Sequence, residues 1–205
     1  MKVLAEIPAQ ADPAPRAGTL RRRDLEAFDA LRAGLDGSRS VLVLGDSARR
    51  RAVAVGLAAA AAAAGTRTAL VECDLAHPNL AEALGLAAAP GLHEYLRGEA
   101  DAGRILEPLV LAGPGAQAAD EPLVCVVAGR PTSDGTALLG SERFRHATAK
   151  LRSAYQLVVL EGPRLNGPTA LAAVAAEADA TVACIGSTDP QPAFGVPLAG
   201  LVIHD

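Results

Sequence analysis

The sequence has very few aromatic side chains and very few lysines. Of its 205 residues none is tryptophan, two are tyrosine and three are phenylalanine, whereas 46 are alanine. A surface that stacks bases or sugars needs more rings than this, which argues against that class of binding protein. The small side chains instead favour helices packed closely on a sheet. Lysine occurs only as Lys2 and Lys150, so a lysine-dependent mechanism would have to use one of these two residues.

The chain also lacks an excess of positive charge and a long apolar run. Lys and Arg total 19 against 23 Asp and Glu, a net charge of -4, which excludes a large phosphate-binding face for nucleic acid. The charge-free stretch at residues 52–66 is below the roughly 18 residues that span a bilayer. The first residues do not read as a signal peptide. We therefore expect a cytoplasmic domain.

The cysteines are few and far apart. Cys73, Cys125 and Cys184 form no CxxC pair and have no paired histidines nearby, which argues against a zinc site and a disulfide framework. Each lies in or beside an apolar run, where a buried free thiol is the usual outcome. This usage fits a reducing compartment.

Short apolar runs alternate with helical patterns along most of the chain. Strands are predicted at residues 41–44, 68–71, 123–127, 157–160, 180–185 and 199–203. Helices are predicted from residue 24 to a stop at Gly37, and at 52–64, 78–84, 91–96, 141–154 and 169–178. This alternation predicts an α/β fold with a three-layer, doubly wound, mostly parallel sheet. Residues 1–22 are predicted to form an extended N-terminal arm and the helix start, and residues 23–205 a single domain.

In such a sheet the carboxyl ends of the strands share one edge, and function is expected in the loops there. The first of these loops, residues 45–52, occupies the position of a phosphate-binding P-loop. A P-loop uses glycines for close backbone approach, a lysine for the β/γ-phosphates and a hydroxyl for Mg²⁺. This chain has Arg49, Arg50, Arg51 and Ala52 instead. The arginines are open to two interpretations, a solvated cationic turn or a residual anion site at a helix N-terminus.

Six further motifs lie along the chain, before and after this loop. They are VLAEIP at 3–8, EAFDALR at 26–32, VECDL at 71–75 with Pro78, GRP at 129–131, SERF at 141–144 and LVVLEGP at 157–163. Together they resemble the cytoplasmic kinase domain of bacterial tyrosine kinases of capsule and exopolysaccharide synthesis, in the ParA/MinD-like P-loop group. The resemblance covers residues 3–204 and implies a P-loop NTPase-like fold.

The resemblance also assigns roles to individual positions, many of them altered. Arg50 stands for the P-loop lysine, Glu161 for the Walker B aspartate, and His204 for the asparagine that reads adenine. The implied vestigial phosphate loop consists of Gly45, Asp46, Ser47, Arg49, Arg50, Arg51 and Ala52. No catalytic residue is assigned; Asp74 and Glu161 are implied as vestigial catalytic groups, and Glu72, Asp74 and Glu161 as vestigial metal ligands. Glu72 and Asp74 have a second interpretation, as carboxylates that pair with the arginines. The implied oligomerisation residues are Glu26, Asp29 and Arg32, with Asp29 replacing an arginine.

These departures favour a non-catalytic, kinase-like pseudo-ATPase that regulates or scaffolds exopolysaccharide or capsule synthesis and export. The implied partners are a membrane polysaccharide co-polymerase or kinase subunits of the same system, without nucleic acid. The implied place is the cytoplasm, at the inner face of the membrane, as a homo- or hetero-oligomer formed through the N-terminal helix. No cofactor is expected. The exception would be ATP or ADP with Mg²⁺, if the divergent loop has kept the ability to bind a nucleotide. The alternative is a divergent ATP-binding protein-tyrosine autokinase or a MinD/ParA-like ATPase, supported by the retained carboxylates Asp74 and Glu161.

Overall fold

The computed structural model describes residues 2–7, 22–35, 37–109, 123–164, 168–189 and 194–204. Its strands are β1 Val3–Ile7, β2 Ser40–Leu44, β3 Thr68–Glu72, β4 Glu107–Leu109, β5 Leu123–Val126, β6 Leu157–Glu161, β7 Ala180–Ile185 and β8 Gly200–His204. They form one sheet in the order β1-β8-β7-β2-β6-β3-β5-β4. Neighbouring strands are parallel except for β4 and β5, which are antiparallel.

Helices cover both faces of the sheet. Their bounds are α1 Arg22–Gly34, α2 Ser47–Ala63, α3 Leu80–Leu84, α4 Leu92–Arg97, α5 Gly135–Leu139, α6 Glu142–Ala154 and α7 Pro168–Ala175, with a short 3₁₀ turn at Ala102–Arg104. Two separate apolar clusters show the layers: one joins α1, α2 and α3 to the sheet, and the other joins α4, α5, α6 and α7. In β2, Val41 and Val43 enter the first cluster, whereas Leu42 and Leu44 enter the second. The predicted three-layer, mostly parallel sheet is therefore confirmed.

The alanine content has a direct structural use in α2. From Ala52 to Ala62 every residue of this helix is buried, because the helix lies between α1 and the sheet. Small side chains let α2 approach both α1 and the sheet closely. At Gly56 an added Cβ would lie 2.1 Å from the Cζ atom of Phe28 in α1.

The structure adds two strands that the sequence did not predict. The strand β1 pairs in parallel with β8 near the other end of the chain, so it belongs to the sheet although it falls in the segment assigned to an extended arm. The strand β4 has three residues and contains Pro108, which suits an edge position. Residues 8–21 of the predicted arm lie outside the described residues.

The start of α2 also differs from the prediction. This helix begins at Ser47, not at Ala52, so the arginines lie inside its first turns. The cause is Asp46, whose Oδ1 accepts hydrogen bonds from the backbone N–H groups of Ala48 and Arg49. By contrast, the predicted start of α6 is confirmed, because Ser141 is its N-cap and accepts from Phe144 N.

Within the described residues, no helix combines the length and apolar character needed to cross a bilayer. All three cysteines are buried free thiols, as predicted.

Candidate functional site

The candidate site lies where β2, β3 and β6 end and α2 begins. Only Gly45 and Asp46 connect β2 to α2. Gly45 has φ +147°, and an added Cβ would lie 2.8 Å from the carbonyl oxygen of Cys184 in β7. Glycine is therefore needed for the close approach of this turn to the neighbouring strand. The turn is tight and leaves the helix N-terminus directly above the sheet edge.

The carboxylate of Asp46 accepts hydrogen bonds from backbone N–H groups at the start of α2. Besides its cap hydrogen bonds at 3.1 Å, its Oδ2 accepts from Nη1 of Arg49 at 2.7 Å. Burial alone would raise the pKa of Asp46, but the hydrogen bonds from Arg49 and Ala48 hold the pKa below its usual value. The carboxylate is thus an internal anion at the start of α2.

Arg50 points inward from the first turns of α2 and is fully buried. Its Nη2 lies 3.1 Å from Oδ2 of Asp74, just beyond β3, and its Nε lies 3.2 Å from Oε1 of Glu161 at the end of β6. The interpretation of the arginines as a solvated cationic turn is therefore wrong for Arg50. The structure does bring Arg50, Asp74 and Glu161 together, as an ion-paired cluster.

The electrostatics of this cluster depend on its burial. Burial raises the pKa of Glu161 to about 7, although the charge of Arg50 acts in the opposite direction. Asp74 has further partners: its Oδ1 accepts from the backbone N–H of His77 at 3.2 Å, and its Oδ2 lies 3.4 Å from Nε of Arg164. Two arginines therefore share the carboxylate of Asp74.

Glu72 does not join this cluster. Its Oε1 accepts from the backbone N–H groups of Asn79 and Leu80 at 2.6 and 2.8 Å, and its Oε2 accepts from Ala128 N at 2.9 Å. Burial raises the pKa of Glu72 despite these bonds. The carboxylate ties the loop before α3 to the end of β5, so the interpretation that it pairs with the arginines is wrong. Among the described residues no group of three or more His, Cys, Asp and Glu could hold a metal ion.

The other two arginines are also bound within the chain. Arg49 donates through Nε to the carbonyl oxygen of His204 at 2.9 Å and through Nη1 to Oδ2 of Asp189 at 3.1 Å. Arg51 donates through Nη1 to Oδ1 of Asn79 at 2.9 Å. Arg49 therefore links the start of α2 to the end of β8.

Sequence reasoning missed Arg164, Asp189 and Asn79 as parts of this region. All three lie in loops that follow strands at the carboxyl edge of the sheet, and this position was the sequence signal that could have pointed to them. Their contacts could not be predicted, because they depend on the direction of each side chain. The implied oligomerisation residues lie elsewhere, on α1. There Arg32 and Asp29 pair with each other at 3.4 Å on an exposed face, while the side chain of Glu26 is outside the described part of the chain.

Comparisons with known proteins give the fold. No protein-family model and no curated protein matches the chain. Among solved structures, the chimerical protein CapA2B2 has a TM-score of 0.83 at 19% identity, covering 100% of this chain and 94% of that chain. The kinase domain of the Escherichia coli tyrosine kinase ETK has a TM-score of 0.79 at 18% identity, covering 100% and 90%.

A further solved structure shares the fold over part of the chain. The septum site-determining protein MinD of Pyrococcus horikoshii, complexed with Mg-ADP, has a TM-score of 0.57 at 16% identity over 71% of this chain and 56% of that chain. The chain therefore has the P-loop NTPase-like fold of bacterial tyrosine-kinase domains. The predicted resemblance is confirmed at this level, and at these identities the matches establish the fold alone.

Proposed function

We propose that this chain is a non-catalytic module with a kinase-like fold, which works by binding partners and not by phosphoryl transfer. The observation that carries the proposal is the fully buried Arg50, bound to both Asp74 and Glu161 at 3.1 and 3.2 Å. By the sequence resemblance these are the lysine position and two metal-binding carboxylate positions. Here the guanidinium occupies one oxygen of each carboxylate.

The turn before α2 supports the same conclusion. A phosphate loop needs several free backbone N–H groups and a compact cation that faces the phosphates. In this chain Asp46 accepts the first helix N–H groups, and Arg49 is held by carboxylates and by the carbonyl of His204. Ala52 supplies no hydroxyl for Mg²⁺. The residues present do not fit a nucleotide with its metal, and loss of one cationic group alone can cost about 10³-fold in phosphoryl transfer.

The biological context of the proposal comes from the sequence resemblance. We place the module in exopolysaccharide or capsule synthesis and export, at the cytoplasmic face of the membrane. Its partners are a membrane polysaccharide co-polymerase or kinase subunits of the same system. The helix α1 is the proposed contact, through Glu26, Asp29 and Arg32. The exposed Asp29–Arg32 pair is available for exchange with a partner's charges.

Calorimetric titration with Mg-ATP, followed by an assay for phosphate on Tyr95 and Tyr155, tests the proposal. We expect no heat of binding at micromolar nucleotide and no incorporated phosphate. The kinase domain of ETK, run in parallel, is the positive control for both measurements. A micromolar Kd would contradict the proposal and favour the alternative, a divergent ATP-binding autokinase or ATPase. Phosphate on either tyrosine would establish autokinase activity.

A further inference from the structure

The two faces of the sheet differ in how far their apolar clusters extend. On the second face, the cluster beneath α4, α5, α6 and α7 takes buried side chains from β2, β3, β5 and β6, and none from the described residues of β7, β8 or β1. The cluster on the first face does reach these three strands, through Val182, Cys184, Val202, Ala5 and Ile7. The apolar cluster of the second face therefore stops at β2.

The cause lies in the connection between β7 and β8. Neighbouring parallel strands need a crossover, which is usually a helix that packs on the sheet. The chain passes from β5 to β6 through α5 and α6, and from β6 to β7 through α7. The connection from β7 to β8, residues 186–199, has no helix in its described residues. It reaches the border of the second cluster through Phe194, Val196 and Leu198, but it adds no helix to this face.

Two rows of side chains cross β7, β8 and β1 on the second face. In strand register they are Ala183, Leu201 and Val3, and, nearer the carboxyl edge, Ile185, Ile203 and Glu6. In β7 and β8 these residues alternate with members of the first cluster, so their side chains point to the second face. Val3 and Glu6 in β1 share that side with the residues they pair with.

Exposure rises across these rows toward the edge strand β1. Leu201 is only 3% exposed, whereas Val3 is 43% exposed. Ile185 and Ile203 are partly buried, and Glu6 is exposed. Parallel sheets are normally covered by helices on both faces. We call the surface formed by Val3, Ile185, Ile203 and Glu6 the outer face; in the described part of the chain it lacks such a helix.

The size of the outer face selects its occupant. It spans three strands of five or six residues each, and at about 4.8 Å between strands and about 3.3 Å per residue this gives roughly 10 by 17 Å. One helix is about 10 Å wide and rises about 5.4 Å per turn, so about three turns fill this area. A stable pair of folded proteins buries about 800 Å² on each partner, several times more. The area therefore suits one helix better than a second copy of the chain.

We propose that the outer face binds one amphipathic helix of about three turns from a partner protein, with a Lys or Arg placed to meet Glu6. The apolar side of that helix would cover Val3, Ile185 and Ile203, with its contacts at three- and four-residue spacing. The inference rests on the proposed function, in which the chain acts by binding partners. The outer face lies across the sheet from α1 and α2, so a helix bound here leaves both of them free.

A phage-displayed library of peptides of about 14 residues, panned against the full chain, tests the proposal. We expect the enriched peptides to repeat apolar residues at three- and four-residue spacing and to carry a Lys or Arg. As synthetic peptides in fluorescence anisotropy, they should lose at least about tenfold in affinity for the variant Val3→Asp. Val3 is an exposed side chain at the edge of the sheet, so this variant should fold, which circular dichroism checks.

A charge reversal tests the role of Glu6. Glu6→Lys should weaken binding of the enriched peptides at least about threefold, and peptides with Glu in place of their Lys or Arg should regain the loss. The matched control is Glu142→Lys, the same reversal on α6, where the side chain is 95% exposed. It should change affinity by less than about 1.5-fold. Enriched peptides without helical spacing, or affinities that Val3→Asp leaves unchanged, would overturn the proposal.

Light scattering after size-exclusion chromatography tests a second copy as the occupant. We expect the mass of the wild-type chain in solution to be the same as that of Val3→Asp. A wild-type dimer that Val3→Asp dissociates would overturn the partner helix and assign the outer face to self-association.

The outcome is separable from that of the proposed function. If Mg-ATP binds the wild-type chain tightly, the proposed function fails whatever the peptides do. If no nucleotide binds and the panning yields no helical peptide that depends on Val3, only the helix-binding face fails.

Discussion

The guanidinium of Arg50 donates through Nε to Oε1 of Glu161 at 3.2 Å, and both side chains are fully buried. This contact joins the first turns of α2 to the carboxyl end of β6. Taking two charges out of water is costly, and their attraction offsets that cost only while both partners are present. Loss of either side chain should therefore lower the free energy of unfolding of the domain.

The first prediction is that Arg50→Met lowers the free energy of unfolding by about 3–5 kcal/mol, because Glu161 is left buried without a cation and Asp74 keeps only Arg164. Arg50→Lys keeps the charge but loses the planar fork that reaches two carboxylates, so it should cost less. Urea denaturation followed by circular dichroism measures both. The control is Arg145→Met on the exposed face of α6, which should cost less than about 0.5 kcal/mol. A loss below about 1 kcal/mol for Arg50→Met would show that the buried pair adds little stability.

The second prediction concerns pH. Burial raises the pKa of Glu161 from its ordinary value of 4.5 to about 7, so between these values the folded chain binds a proton that the unfolded chain has released. The unfolding free energy should therefore fall as the pH rises from about 5 to 8, by an amount on the order of 1–3 kcal/mol.

The comparison with Glu161→Gln isolates this group, because Glu72 is shifted in the same direction by burial. The variant should show a flatter dependence of unfolding free energy on pH over the same interval, measured by urea denaturation at several pH values. Parallel curves for the two proteins would contradict the assignment of the pH dependence to Glu161.

The central strands could be predicted from the sequence because parallel strands covered on both faces are apolar at nearly every position, as in residues 41–44. The edge strands β1 and β4 could not, since β1 depends on pairing with β8 near the other end of the chain and β4 has only three residues. A three-residue strand containing Pro108 has no sequence signature of its own.

The location of the site was predicted from the sequence, but the contacts between its side chains were not. The order of the motifs located Arg50, Asp74 and Glu161 at one sheet edge. The direction of Arg50 depends on the helix beginning at Ser47, and that depends on the cap made by Asp46. The role of Glu72 depends on the backbone N–H of Ala128, which is 56 residues away. Neither contact leaves a local pattern that sequence reasoning can use.

The third prediction concerns Arg49, which is the link between α2 and the end of β8. Arg49→Ala removes the hydrogen bond to the carbonyl of His204 and the ion pair with Asp189. We expect amide hydrogen exchange in β8 to become faster by roughly fivefold, which corresponds to about 1 kcal/mol, with little change in β3. Exchange followed by mass spectrometry measures this. Arg51→Ala is the control, because Arg51 bonds to Asn79 and not to β8. Equal acceleration in β3 and β8 would mean that Arg49 acts on global stability alone.

The last prediction concerns the packing of α1 on α2. An added Cβ at Gly56 would lie 2.1 Å from Cζ of Phe28, whose ring is fully buried and cannot move aside into solvent. Gly56→Ala should therefore cost about 1–3 kcal/mol through overpacking, although alanine is the better helix former. Phe28→Leu removes the ring that causes the clash. The cost of Gly56→Ala should then fall by at least about 1 kcal/mol in the Phe28→Leu background, as a double-mutant cycle in urea reports. Additive costs would mean that the cost of Gly56→Ala does not come from contact with the ring of Phe28.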